Sequence, residues 1–529
     1  MLEYALARIV SFGIPLDLAK AAVMLAAAFP TALIYRLIPR KAPPNVRHVF
    51  SIAVSGSLFC ALFDKSGFAQ LVGAAVGTWL IVKKKREKRW VPITVFAAAM
   101  AGLSLNHILG QLVLKSNVSF DHTAPMMVLV IKLTSFAWAA HDGTRPDEDL
   151  SEDQRKLAIR KMPGLVEYLG YIFFFGGFLV GPAFEFVDYK RFTENQPPFN
   201  ERPSSLIPTV RNMTAAVISL GLFFKFGDSW SYMKALTPEF AKQPMWQRLL
   251  FMQIAGGIAR SKYYIAWKLS EAACVLTGFG FNGYSSSGVP HWDRVQNIAI
   301  RKFELANNPK LAIDNWNKNT GLWLRRYVYL RIVDSGIKST AMAAVATYVT
   351  SAFWHGFRPG FYLTFVTGSF LNLGARTIRR NIRPLFHGQS KLAPLRPVYD
   401  VLGWITTIGA VNYMVAPFVV HSVHNSLTVW KANAYMLHVA LAAVQIGYGV
   451  LGLGPLTRKF GESIGATYSH HHHHHHRHHH CTHTKSKPQV EPNEVPAVQR
   501  QVSDETLTLV GDIVDGAAVP ALAVEAAEK

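Results

Sequence analysis

One imidazole sits where an ionisable group is costly to keep. The mostly apolar run Met342 to Phe353 ends on Trp354-His355-Gly356-Phe357-Arg358-Pro359-Gly360. Ionisable side chains at membrane depth are rare and are functional candidates by default. Trp354 and Phe353 can shield the ring from bulk water, Gly356 leaves space beside it, and Pro359-Gly360 forces a turn. A partly desolvated, neutral imidazole is a good general base near neutral pH. The bland alternative, a helix-end histidine bonded to a backbone carbonyl and doing nothing else, carries comparable weight on position alone. Upstream lies Trp316-Asn317-Lys318-Asn319-Thr320-Gly321-Leu322-Trp323-Leu324-Arg325-Arg326, continuing to Arg331. Taken singly, Asn317 reads first as a turn or cap residue. A buried amide can instead hold a hydroxyl or carbonyl in line with a base. Trp316 and Trp323 beside Arg325, Arg326 and Arg331 have the look of an interfacial helix, rings at head-group level and guanidinium groups facing phosphate.

No Ser-His-Asp order, Gly-x-Ser-x-Gly elbow, Walker loop or His-Glu-x-x-His pattern occurs at a credible place. Without a nucleophile motif, the simplest chemistry for one His and one Asn is direct transfer. His355 takes a proton from an acceptor hydroxyl, which attacks an activated acyl donor.

The elements that must position these residues are membrane helices. The chain has 529 residues, half of them hydrophobic and only 17% charged, and its mean hydropathy is positive. Apolar stretches long enough to cross a bilayer recur to about Gly454. The expectation is an all-α, polytopic helical bundle of about eleven or twelve helices. The net charge of +22 gathers in short Lys/Arg runs between apolar segments, as in cytosolic loops facing anionic lipid. That distribution argues against nucleic acid. Cys60, Cys274 and Cys481 are far apart and show neither ligand spacing nor a disulfide framework. The first span, Leu18 to Leu37, follows no cleavable leader pattern and is expected to stay.

A basic loop, Arg36 to His48, precedes the stretches Val49–Phe63 and Gly67–Val82, which Lys83 to Arg89 follows. Val91–Leu114 comes next and would put the sequon Asn117-Val118-Ser119 in the lumen. Met126–Ala140, Leu165–Val187, Val210–Phe226 and Leu249–Thr277 continue the series. The interval Gly278 to Ile332 lacks a spanning run and is expected to pack against the bundle or line a polar cavity. Gly336–Phe357, Gly360–Ala375, Tyr399–His421 and Ala434–Leu453 complete the set. A strict count puts the basic loop Arg376 to Arg383 in the lumen, against the positive-inside rule. One segment is therefore expected to be re-entrant or miscounted, and Leu249–Thr277, interrupted by Arg260, Lys262, Lys268 and Glu271, is the suspect. Residues 1–458 form the membrane domain. Residues 459–529 form a low-complexity tail, with eleven of the 21 histidines between His470 and His483. Adventitious metal binding suits that tract and a catalytic metal site does not.

Several of these segments together resemble the membrane-bound O-acyltransferase family, and within it the lysophospholipid acyltransferase branch. They are Asp142-Gly143 with Arg145-Pro146, Gly181 to Glu185 with Asp188-Tyr189, Lys262-Tyr263-Tyr264 with Trp267 and Glu271, Gly278 to Gly283, Trp316 to Arg331, and Ser351 to Gly356. The resemblance covers residues 10–455. It implies a helical bundle enclosing a chamber, and transfer of a fatty acyl group from acyl-CoA to the free hydroxyl of a lysophospholipid. It also implies an endoplasmic reticulum location. His355 and Asn317 would match the catalytic pair. Trp316, Thr320, Trp323, Arg325, Arg326, Arg331 and Trp354 fall in the two most specific motifs, and Glu185, Tyr264 and Asn282 fall in segments expected to bind substrate. Acyl-CoA is a co-substrate, and the resemblance implies no metal or other cofactor. One departure is Thr123-Ala124-Pro125-Met126-Met127, which lacks the branch's usual Gln. Two alternatives remain: a transporter, for which Gly-Pro breaks and buried charge would also suit, and a family member acting on a sterol, a diacylglycerol or a protein.

Overall fold

A computed structural model describes residues 2–11, 16–63, 65–110, 123–336 and 339–468. The sequon at Asn117, the His-rich tract and Cys481 lie outside the described residues. The described chain is helical, and its β structure is a single isolated bridge between Tyr284 and Pro290.

Among the described residues, seven helices are long and apolar enough to cross a bilayer, or eight if the pair Met436–Val450 and Leu453–Ser463, bent by 83°, counts as one span. The two stretches after the first basic loop become helices Pro44–Leu62 and Lys65–Lys85, and both qualify. Helix Thr340–His355 has only 16 residues, short of the ~20 needed for a full crossing. Its neighbour Pro359–Asn381 packs against it.

Two readings of the middle of the chain are corrected. Leu165–Val187 is not one continuous span. Helix Leu165–Ile172 stops, residues 173–185 run irregularly, and a new helix covers Phe186–Thr193. The suspect Leu249–Thr277 lies within one unbroken helix, Met245–Thr277, so it is not re-entrant, yet that helix is not among the seven apolar enough to cross. Its charges are accommodated laterally: Arg260 pairs with Glu304, and Lys268 with Glu271. Hydropathy reports composition, and neither break nor pairing can be read from it.

The irregular segment is tolerable because protein encloses it and its carbonyls find donors. Lys132, 1% exposed, donates to the carbonyls of Tyr171 at 2.9 Å and Ile172 at 3.0 Å. It thus supplies a cation to the carbonyl end of the Leu165–Ile172 helix. Its ammonium also lies 4.3 Å from the Phe184 ring centroid. Ser55 donates to the Phe173 carbonyl and Tyr171 to that of Phe184. Phe173, Phe174, Phe178, Phe184 and Phe192 pack together here in the largest apolar cluster. Gly176 lies against Cys274, where a side chain would clash with its sulfur. The interval 278–332 packs on the bundle through short helices, as expected, including Pro309–Asn315 and Lys318–Leu324.

Candidate active site

His355 is the last residue of helix Thr340–His355. The helix ends because Gly356 adopts φ 120° and ψ −164°, a conformation that a residue with a Cβ rarely adopts. Pro359 then opens the next helix at a position that needs no N–H donor. The imidazole Nδ1 lies 2.6 Å from the Ser351 carbonyl oxygen. A carbonyl only accepts, so in the neutral ring Nδ1 carries the proton and Nε2 keeps its lone pair. Nε2 has no hydrogen-bond partner among the described residues. Four aromatic rings surround the imidazole: Trp354 at 4.7 Å, Phe365 at 5.0 Å, Phe418 at 5.3 Å and Phe361 at 6.1 Å between centroids. The carbonyl bond of the bland reading therefore exists. It also leaves a basic nitrogen unoccupied inside an apolar enclosure.

Trp354 is itself fixed. Its indole N–H donates to the Met127 carbonyl at 3.0 Å, and its own carbonyl lies 3.1 Å from His107 Nε2. Trp323, 2% exposed, donates to Thr134 Oγ1 at 2.8 Å and packs between Phe96 and Trp354. Trp323 therefore belongs to the protein interior and presents no ring to lipid.

Asn317 opens helix Lys318–Leu324 with φ 43° and ψ 51°. This left-handed geometry is one that Asn tolerates better than most residues. The Thr320 hydroxyl donates to its Oδ1 at 3.0 Å. The amide is thus oriented by Thr320 and does not cap the helix. Among the described residues no hydrogen bond joins Asn317 to His355. Their helices meet through Trp323 and Trp354.

Arg326 and Arg331 are paired with carboxylates. Arg331 forms a two-pronged pair with Asp142, at 2.8 and 2.5 Å, and its guanidinium lies 4.3 Å from the Trp138 ring centroid. Arg326 reaches Asp153 at 3.4 Å and Glu185 at 3.3 Å, and the Tyr327 hydroxyl donates to Glu185 at 2.9 Å. Their partners lie 141 to 189 residues away in sequence, out of reach of local spacing. A π-helical turn, Arg325–Tyr329, carries Arg326 and Tyr327 and leads into the short helix Leu330–Val333, which carries Arg331. Such turns often occur at functional sites. Arg325 has no ion-pair or hydrogen-bond partner among the described residues. Trp316 packs on Tyr263, Tyr264, Trp267 and Phe303. Tyr264 donates to Glu304 at 2.6 Å, within a network of Arg260, Glu304 and Asn412. The sequence offered no signal for that network beyond charges interrupting an apolar run. Asn282 lies apart on an exposed loop, donating to Asp293 at 3.0 Å.

The geometry is an imidazole shielded by rings, an amide held by Thr320, and arginines locked by carboxylates. A family model described as "MBOAT, membrane-bound O-acyltransferase family" matches residues 108–416, more than half of the 529. The chain belongs to the membrane-bound O-acyltransferase family. It is accordingly an O-acyltransferase of the membrane, which sets the transporter alternative aside. Among its relatives is a lysophospholipid acyltransferase of Schizosaccharomyces pombe, 36% identical over 440 residues, or 81% of this chain and 85% of the relative. Another, of the same name, from Saccharomyces cerevisiae is 34% identical over 82% of this chain and 74% of its own length. The membrane-bound glycerophospholipid O-acyltransferase 2 of Gallus gallus is 34% identical over 76% of this chain and 78% of its own. The acyltransferase match contains both Asn317 and His355.

Proposed function

We propose that this chain is a lysophospholipid acyltransferase that moves a fatty acyl group from acyl-CoA to the free hydroxyl of a lysophospholipid. His355 Nε2 takes the hydroxyl proton as the oxygen attacks the thioester carbonyl. Collapse of the tetrahedral intermediate expels the CoA thiolate, which recovers the proton from the imidazolium. No acyl-enzyme forms. Asn317 orients the acceptor hydroxyl or the thioester carbonyl. Thioesters are already activated, so the step needs no metal or nucleotide hydrolysis.

One observation supports this reading above the rest. The Ser351 carbonyl holds Nδ1 protonated, leaving the only other ring nitrogen free to accept a proton. The relatives' names favour a lysophospholipid over a sterol, diacylglycerol or protein acceptor. The setting proposed is phospholipid remodelling in the endoplasmic reticulum membrane.

The test is free-thiol release from acyl-CoA by the purified protein, run across a panel of lysophospholipid head groups, a sterol and a diacylglycerol. His355→Ala is expected to lower transfer ~10²–10⁴-fold, with unchanged expression and membrane insertion. Near wild-type transfer by that variant would overturn the mechanism. Preference for a non-phospholipid acceptor would overturn the substrate class.

A further inference from the structure

Four arginines, Arg36, Arg40, Arg47 and Arg202, line one open cavity of about 130 Å³ that shares no lining residue with the surroundings of His355. Tyr35 and Thr277 line it too. Arg36 lies in the last turn of the first span, which places the cavity at one end of that span. Arg47, 5% exposed, is held by the carbonyls of Pro39, Ala42 and Thr193. Arg36 donates to Ser205 and to the Leu276 carbonyl. Arg202 donates to Asn195 and the Phe199 carbonyl, with its guanidinium 5.6 Å from the Phe192 ring centroid. Arg40 has no partner among the described residues. None of the four forms an ion pair with a carboxylate there.

Four like charges sharing one cavity without a counter-ion is an unfavourable arrangement. Arg202 registers it: burial and the charges of Arg40, Arg47 and Arg36 push its guanidinium down to about 10. A cytosolic loop needs basic residues for topology, but topology does not require burying one and tying three to neutral acceptors around a common space. A second sign is the Tyr35 hydroxyl. Tyr35 is 4% exposed, and its oxygen has no hydrogen-bond partner, although buried hydroxyls nearly always find one.

We infer that this cavity is a second ligand site, built for a phosphate group, with the arginine forks neutralising the anion and the Tyr35 hydroxyl donating to it. Planar guanidinium groups match phosphate oxygens in pairs, and the cavity is open, so the rest of the molecule that carries the phosphate can lie outside it. The phosphate can come from an anionic lipid head group, since the first span ends here, or from a soluble nucleotide such as CoA. The site stands independently of the transfer chemistry, because binding is read without turnover.

The experiment titrates the purified full-length protein with dioctanoyl phosphatidic acid and, separately, with CoA, using dioctanoyl phosphatidylcholine as the zwitterionic control. The double variant Arg40→Gln/Arg202→Gln is expected to raise the Kd of one of the two anions roughly tenfold or more, with the control unchanged. Weakening of phosphatidic acid alone assigns the site to lipid, and weakening of CoA alone assigns it to the nucleotide. If the double variant folds poorly, Arg40→Gln alone carries the test, since that exposed side chain supports no contact; a shift of roughly threefold is expected. Equal affinities of wild type and variant for both anions would overturn the inference, as would the absence of binding below ~1 mM by either.

Discussion

The indole rings of Trp323 and Trp354 lie 6.2 Å apart, centroid to centroid, tilted by 45°. This contact couples the helix that starts at Asn317 to the helix that ends at His355. Each ring is anchored at its far side, one on Thr134 and the other on the Met127 carbonyl. The Thr123–Asp142 helix therefore serves as the common reference for both halves of the site.

Truncating Trp323 removes a buried ring from that coupling. Trp323→Ala is expected to destabilise by ~3–5 kcal/mol. Trp323→Phe keeps the packing and loses only the bond to Thr134, about 1 kcal/mol. Thermal unfolding of the two variants in one detergent checks the order. Equal losses would mean that the ring packing contributes nothing.

Asn317 combines a backbone need with a proposed chemical one, and the two are separable. Asn317→Gly satisfies φ 43° without strain and removes the amide. It should fold like wild type and lose acyl transfer. Thr320→Val leaves the amide present but unheld, and is expected to lower turnover less than Asn317→Gly does. Wild-type turnover by Asn317→Gly would confine Asn317 to a turn.

The Arg331–Asp142 pair predicts a signature of coupling. Removing one partner leaves an uncompensated buried charge, so Arg331→Met or Asp142→Leu should each cost ~3–5 kcal/mol, and the double variant should recover much of that. Arg331→Lys should rescue poorly, since an ammonium cannot span both carboxylate oxygens. Strict additivity in chemical unfolding would refute the pairing.

Among the described residues Lys132 has no anionic partner, only carbonyls and rings. Lys132→Met strands the carbonyls of Tyr171 and Ile172, each at a cost of ~1–3 kcal/mol. Limited proteolysis should then cut within residues 173–185, where the wild-type chain resists. Unchanged resistance would show that packing alone holds the break.

The helical membrane class was legible in the sequence, because apolar runs recur along it. His355 stood out because an imidazole ending an apolar run is costly, whereas Asn317 taken singly read as a turn residue and gained a chemical role only from the resemblance. The local reading of Arg326 and Arg331 failed because their partners, Glu185 and Asp142, come from remote segments. The apolar run 165–187 looked like a span because its composition is the same whether the backbone stays helical or breaks. What decides is Lys132, contributed by another helix. The charges of Met245–Thr277 suggested a break that is not there, since Glu304 and the Lys268–Glu271 pair neutralise them within an unbroken helix; they do keep that helix off the set apolar enough to cross.

The buried ammonium of Lys132 also bears on how the protein is assembled. Its helix is translated before the stretch whose carbonyl end it closes. The donor for the carbonyls of Tyr171 and Ile172 thus leaves the ribosome ahead of its acceptors, and so does Ser55, the donor to Phe173.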